Sequence, residues 1–253
     1  RRRVALAVTL LAALAPSGCG TSRGDDANAP PGAAEKVAFE AADGVKLVGR
    51  LYGDGDVGVV LAHMGRPGDT LLDWAPLSRE LAKRGYMALA YNRRGVCTTP
   101  EPERECSAGF GDFASSWNDV VGAAGYLRAT GAKNVVLVGA SIGAMASLHA
   151  LAEGAVEASA FIEIGGVNHE SGYSFSRRNL QALEGHKLFV SSVGDYYDAA
   201  PAAREWHRWA EEPKQLELLP GVAHGTDMLI ASQPTARPLT ELVLEFLASA
   251  VRP

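Results

Sequence analysis

Short apolar runs alternate with amphipathic segments along most of the chain. Continuous apolar runs of about four to eight residues are typical of strands buried on both faces, and periods near 3.6 indicate helices that cover them. The pattern predicts strands at 58–62, 86–91, 135–138, 160–164, 187–193 and 215–219, and helices at about 71–84, 113–129, 200–210 and 238–250, with a further helix ending near 151. Strands that alternate with helices predict an α/β protein built on a mostly parallel sheet.

An antiparallel pair precedes these units. Residues 37–40 and 45–52 alternate between apolar and polar positions, and Asp43-Gly44 lies between them as a turn. An Asp-Gly turn between two alternating runs predicts a β-hairpin. The sheet is therefore expected to begin with two antiparallel strands and to continue in parallel.

The most informative stretch joins a strand to a helix around Ser141. The strand 135–138 is followed by Gly139-Ala140-Ser141-Ile142-Gly143 and then by helix-forming residues. Small residues at 139 and 143 are needed where the two backbones approach each other, and this sharp turn pushes the serine hydroxyl out of the sheet edge. The Ile142 N–H, at the start of the helix, would face negative charge developing beside Ser141. Ser141 is the predicted nucleophile.

A serine nucleophile needs a base and a carboxylate that orients the base. His224 follows the last predicted strand, and Asp195 comes just after the strand 187–193, so both would lie at the same sheet edge as Ser141. Asp198 and Glu163 are alternative acids, because each also follows or ends a strand. The remaining histidines have structural explanations in helices, loops or a turn: His63, His149, His169, His186 and His207.

Together, the elbow, the order Ser-Asp-His and the order of strands and helices over residues 37–250 resemble the α/β-hydrolase superfamily. The resemblance implies a single domain with a minimal lid. It also implies that the backbone N–H of Met64, in His63-Met64-Gly65, and the backbone N–H of Ile142 together form an oxyanion hole. We expect the His63 ring to brace this loop. This chain departs from the family in Ser192, which stands where a glycine is usual.

The function expected from this resemblance is hydrolysis of small esters through a Ser141 acyl-enzyme. The compact length resembles dienelactone-hydrolase-like proteins, but those use Cys at the nucleophile position, which favours a general carboxylesterase. Two alternatives stay open: a peptidase of the prolyl-oligopeptidase type, and a non-catalytic binding lipoprotein. The turn Arg93-Arg94-Gly95 is expected to be structural, although either arginine could meet a substrate carboxylate. No cofactor or metal is predicted, and the oligomeric state stays open.

The amino terminus has the parts of a secretory leader. Three arginines precede an apolar run at 4–15, which is too short to span a bilayer, and Ser17-Gly18-Cys19 resembles a bacterial lipobox. We therefore expect a signal peptide at 1–19, lipidation of Cys19, a disordered tether at 20–36 and the hydrolase domain at 37–253. This organisation predicts an exported protein of the bacterial cell envelope, anchored to the membrane through Cys19 or secreted.

Charge and cysteine content add two expectations. The chain has 24 basic and 29 acidic residues, and without the three leader arginines there are 21 basic against 29 acidic ones, a net charge of −8. Such an acidic domain is a poor partner for nucleic acid. Cys97 and Cys106 are expected to form a disulfide in an exported protein, with two free thiols or a metal pair as the alternatives.

Overall fold

The computed structural model describes residues 33–98 and 104–251. Within these ranges the strands are β1 (Ala34–Glu40), β2 (Lys46–Tyr52), β3 (Val57–Ala62), β4 (Met87–Tyr91), β5 (Asn134–Ala140), β6 (Ala160–Ile164), β7 (His169–Glu170), β8 (Tyr173–Ser174), β9 (His186–Ser192) and β10 (Lys214–Leu219). The α-helices are α1 (Ala75–Lys83), α2 (Trp117–Thr130), α3 (Ile142–Ala152), α4 (Arg177–Gln181), α5 (Ala199–Trp209) and α6 (Ala236–Ala250). Short 3₁₀ turns occupy Leu71–Trp74 and Gly225–Leu229. The predicted leader, including Cys19, lies outside the described residues.

The main sheet has eight strands in the order β1-β2-β4-β3-β5-β6-β9-β10. Strand β2 pairs antiparallel with both β1 and β4, and every later pair in the sheet is parallel. Parallel strands present their carboxyl ends at one edge, so the loops after β3, β5, β9 and β10 meet there. The predicted fold, a mostly parallel sheet that begins with an antiparallel hairpin, is confirmed.

Apolar clusters cover both faces of the sheet. Neighbouring residues of β3 point to opposite sides, with Val60 in one cluster and Val59 in the other. Helices α2, α3 and α5 pack on the first face, and α1 and α6 on the second. Strands β3, β4 and β6 are buried along their whole length, which explains their continuous apolar sequences.

Three segments differ from the sequence expectation. Strand β1 begins at Ala34, inside the stretch predicted to be a tether, because its pairing with β2 extends to Tyr52. The helix expected at 71–84 is divided: a capping box at Thr70 starts a 3₁₀ turn, and Pro76 stands in the first turn of α1, where a missing N–H costs little. Helix α2 begins only at Trp117, after turns at the preceding residues.

A small hairpin, β7–β8, occupies the segment between β6 and α4. Its two strands contain two residues each, and the five-residue helix α4 follows them before β9. Tyr173 of this hairpin donates a hydrogen bond to the carbonyl of Phe113 (2.9 Å), so the hairpin is held against the loop before α2. No helix in the described ranges is long and apolar enough to cross a membrane.

Candidate active site

Ser141 lies in a strained turn between β5 and α3. Its backbone has φ 51° and ψ −119°, a conformation that side-chain-bearing residues rarely adopt. A Cβ at Gly139 would lie 2.5 Å from Ala144 N, and one at Gly143 would lie 2.2 Å from the carbonyl oxygen of Ala62. Only glycine therefore fits at both positions, as the sequence pattern predicted. The Ser141 N–H donates to the carbonyl of Ile164 (2.9 Å), which fixes the turn against β6.

His224 and Asp195 meet in the loops that follow β10 and β9. The His224 Nδ1 lies 2.9 Å and 3.0 Å from the two carboxylate oxygens of Asp195, and both side chains are buried. Asp195 Oδ1 also accepts the Tyr197 N–H (2.9 Å). Because a carboxylate can only accept, the contact assigns the Nδ1–H tautomer to His224. Its Nε2 is then free to take a proton.

The alternative acids lie elsewhere. Asp198 is exposed at the start of α5 with φ 56°, and no hydrogen bond or ion pair joins it to His224. Glu163 is buried in β6, where Oε1 accepts the Gly166 N–H and Oε2 accepts the Val190 N–H (3.3 Å). Burial raises the pKa of Glu163 to about 8, against the opposing effect of these two donors. Of these three carboxylates, only Asp195 is hydrogen-bonded to His224.

Ser141, His224, Met64 and Ile142 line one cavity of about 470 Å³. No hydrogen bond joins the Ser141 hydroxyl to His224 among the described residues; such bonds often tighten only when substrate is bound. Ile142 is the first residue of α3, so its N–H has no carbonyl partner within the helix. The structure thus brings the four sequence-predicted residues to one space.

His63 holds the loop that carries Met64. Its Nδ1 donates to the Met64 carbonyl (2.6 Å), and its Nε2 accepts the Arg93 N–H (3.2 Å). Burial, followed by the nearby Arg93 charge, lowers the pKa of His63 to about 3, so the ring is neutral. A neutral ring can donate on one side and accept on the other, which matches both contacts. The structure therefore places His63 as a brace behind the loop.

Arg66 connects three loops at the cavity rim. Its guanidinium forms a bidentate pair with Asp227 (2.6 and 2.7 Å) and also reaches Asp69 (3.1 Å). The Tyr196 hydroxyl accepts from Arg66 (2.9 Å) and donates to Asp227 (2.7 Å). The loops after β3, β9 and β10 are tied together in this way. Sequence reasoning missed this cluster, because its partners are up to 161 positions apart.

The two arginines after β4 have different surroundings. Arg94 is buried and pairs with Asp119 (2.7 Å) and Asp43 (2.8 Å), which makes it structural. The Arg93 guanidinium lies 4.3 Å from the centroid of the Phe113 ring, which lines the cavity. Arg93 itself does not line the cavity. Farther along the same loop, Cys97 and Cys106 form a disulfide.

The described part of the chain contains no group of three or more His, Cys, Asp or Glu side chains arranged to hold a metal ion. The remaining cavity wall comes from Phe113, Val167 and the tip of the β7–β8 hairpin, with Tyr197 beside His224. The arrangement combines a strained serine, a buried histidine–carboxylate pair and backbone donors around one solvent-accessible space. Such a combination is suited to acyl transfer.

A family model described as alpha/beta hydrolase fold matches residues 58–191, just over half of the chain. The chain therefore belongs to this family. The match begins in β3 and ends within β9, so it includes the elbow but stops before Asp195 and His224. Among curated proteins, no sequence matches this chain.

Solved structures share the fold at low sequence identity. An esterase from Pyrococcus furiosus is 16% identical, with a TM-score of 0.69 over 87% of this chain and 93% of that one. A dienelactone hydrolase from Anabaena variabilis is 19% identical, with a TM-score of 0.66 over 88% of this chain and 100% of that one. A serine hydrolase without lid from Xanthomonas campestris is 18% identical, with a TM-score of 0.66 over 85% and 94%.

Proposed function

We propose that this protein is a serine carboxylesterase that cleaves small esters through an acyl-enzyme. The observation that carries the proposal is that Ser141 and His224 line the same cavity. Ser141 lies there at its strained turn, and the buried Asp195 carboxylate is hydrogen-bonded to His224 Nδ1. The names of the structural neighbours, which include esterases, support the same class.

In the first half of the reaction, His224 Nε2 takes the Ser141 proton as the serine oxygen forms a bond with the ester carbonyl carbon. The negative charge moves to the carbonyl oxygen, where the N–H groups of Met64 and Ile142 would stabilise it. Asp195 stabilises the positive imidazolium. The carbon–oxygen bond to the alcohol then breaks, and the leaving oxygen receives the proton from Nε2.

In the second half, water attacks the acyl-enzyme. His224 removes a proton from the water, the same backbone donors stabilise the second tetrahedral intermediate, and the proton returns to the Ser141 oxygen as the acid departs. No group beyond this chain and water is required for the balance of atoms and charge. His63, neutral and hydrogen-bonded on both sides, acts through the loop rather than on substrate.

The proposal is tested by hydrolysis of nitrophenyl acetate. Ser141→Ala should lower kcat by roughly five orders of magnitude, because the acyl-enzyme cannot form. Ser249→Ala is the matched control, since that hydroxyl donates to the Phe246 carbonyl within α6 and does not line the cavity. Full activity in Ser141→Ala would overturn the proposed function.

Aminoacyl nitroanilides, assayed beside the esters, separate an esterase from a peptidase. Faster cleavage of the amides than of matched esters would favour the peptidase. Folded wild-type protein that cleaves neither substrate would favour a binding role for the cavity.

We further propose that the protein is exported and anchored through a lipid on Cys19. The proposal rests on the basic, apolar and Ser-Gly-Cys order of residues 1–19. One acyl chain gives only reversible membrane binding, so stable anchoring would need the multiple chains of a mature lipoprotein cysteine. Cys19→Ser should move the protein from the membrane fraction to the soluble fraction. Unchanged fractionation would refute the anchor.

A further inference from the structure

Tyr197 is unusual among the cavity residues, because it is large, aromatic and more than half exposed. Its relative exposure is 55%, and its ring centroid lies 4.6 Å from that of His224. Its backbone is fixed, since the Tyr197 N–H donates to Asp195 Oδ1 (2.9 Å). The side chain of Tyr197 is thus presented to the cavity from a rigid position next to the proposed base.

The neighbouring Tyr196 shows that the two rings differ in role. The Tyr196 hydroxyl is engaged by Arg66 and Asp227, so this side chain belongs to the cluster at the rim. The Tyr197 hydroxyl makes no hydrogen bond among the described residues. Tyr197 therefore offers an aromatic surface for an apolar group.

Two further apolar side chains are exposed on the loops that carry Tyr197 and His224. Val193 and Val222 are each 62% exposed, and the Tyr196 N–H donates to the Val222 carbonyl, so the loops after β9 and β10 present these side chains together. Exposed apolar side chains grouped on neighbouring loops mark a binding surface more often than scattered ones do. An aromatic ring is also well suited to stack on another ring.

The chemistry of ester cleavage places the alcohol portion of the substrate beside His224. In ester cleavage the base delivers its proton to the leaving oxygen, so the alcohol portion must lie beside His224 Nε2. Tyr197 is the cavity-lining ring that lies against His224, whereas Phe113 and Val167 line the cavity from other elements. We propose that Tyr197 forms the alcohol subsite and selects esters of aromatic or bulky apolar alcohols; this rests on the proposed esterase function.

Two isomeric esters test this assignment. Benzyl acetate carries a phenyl ring on the alcohol, and methyl phenylacetate carries the same ring on the acyl group. The measured quantity is the ratio of kcat/KM for benzyl acetate to kcat/KM for methyl phenylacetate. Because each variant is compared with itself, a general loss of activity through His224 cancels from the ratio.

Tyr197→Ala should lower this ratio about tenfold, as expected for loss of one aromatic contact. Tyr197→Phe should keep the wild-type ratio, because the hydroxyl is not used. Phe110→Ala is the control and should also keep the wild-type ratio, since Phe110 is an aromatic side chain that is 90% exposed and does not line the cavity.

An unchanged ratio in Tyr197→Ala would overturn the alcohol subsite, and so would a raised ratio, which would mean that the acyl group contacts Tyr197. In both cases the esterase proposal would stand. Wild-type protein that cleaves nitrophenyl acetate but neither isomer would overturn the subsite alone, whereas protein that cleaves none of the three esters would overturn the esterase proposal and the subsite with it.

Discussion

Glu163 should make the stability of this protein depend on pH. The carboxyl is fully buried in β6, where it accepts backbone N–H groups from Gly166 and Val190, and burial raises its pKa from an ordinary 4.5 to about 8. Below about pH 4.5 the carboxyl is protonated in both the folded and the unfolded protein. Between pH 4.5 and 8 the unfolded carboxyl loses its proton while the folded one keeps it, so the contribution of Glu163 to stability falls as pH rises.

The size of the effect follows from the change in pKa. Each unit corresponds to about 1.4 kcal/mol, so a rise from 4.5 to about 8 amounts to about 5 kcal/mol across that window. Glu163→Gln keeps the shape and cannot titrate, but its amide nitrogen would face one of the two backbone N–H groups, at a cost of about 1 kcal/mol. The variant should therefore be the less stable protein near pH 4.5 and the more stable one above pH 8.

Urea unfolding at several pH values from 4.5 to 9 measures this difference. The control is Glu153→Gln, which removes an exposed carboxylate at the end of α3. The difference between wild type and Glu153→Gln should stay constant over the same range. Parallel curves for wild type and Glu163→Gln would show that Glu163 is ionised in the folded protein at neutral pH, and the reasoning from burial would be wrong.

Three further predictions concern the acid, a buried ion pair and the disulfide. Asp195→Asn should lower kcat for nitrophenyl acetate by roughly three to four orders of magnitude, because an amide stabilises the wrong tautomer of His224. The kcat of Asp198→Asn should stay within a few-fold of the wild-type value. A severe loss in Asp198→Asn with a mild one in Asp195→Asn would refute the assignment of the acid. Arg94→Met should reduce the free energy of unfolding, measured in urea, by about 3–5 kcal/mol, because it leaves the fully buried Asp119 without its cation. An unchanged free energy of unfolding would contradict this prediction. Mass analysis of unreduced peptides should show Cys97 linked to Cys106, and alkylation of both without prior reduction would exclude the bond.

Local patterns in the sequence predicted most of the fold. The continuous apolar run at 58–62 corresponds to β3, which is buried on both faces, and Gly139 and Gly143 stand at the two positions beside Ser141 where a Cβ would clash. Both signals are local, because burial and backbone crowding act on consecutive residues. The Asp-Gly turn between β1 and β2 is likewise a local signal.

Contacts between distant loops were less predictable. The pair Arg66–Asp227 joins residues 161 positions apart, and nothing in the spacing of either residue indicates the other. The sequence allowed Asp195, Asp198 and Glu163 as partners of His224, and only the loop geometry after β9 distinguishes them. Strands β7 and β8 contain two residues each, too few for any periodicity to show.

The central claim is that Ser141 becomes covalently modified with the help of His224. A fluorophosphonate reacts with activated serines, and mass analysis of the digested protein locates the adduct. We expect one adduct, on the peptide that contains Ser141, and we expect labelling to be lost in His224→Ala at the same reagent concentration. An adduct on another residue, or folded wild-type protein that stays unlabelled, would contradict the account.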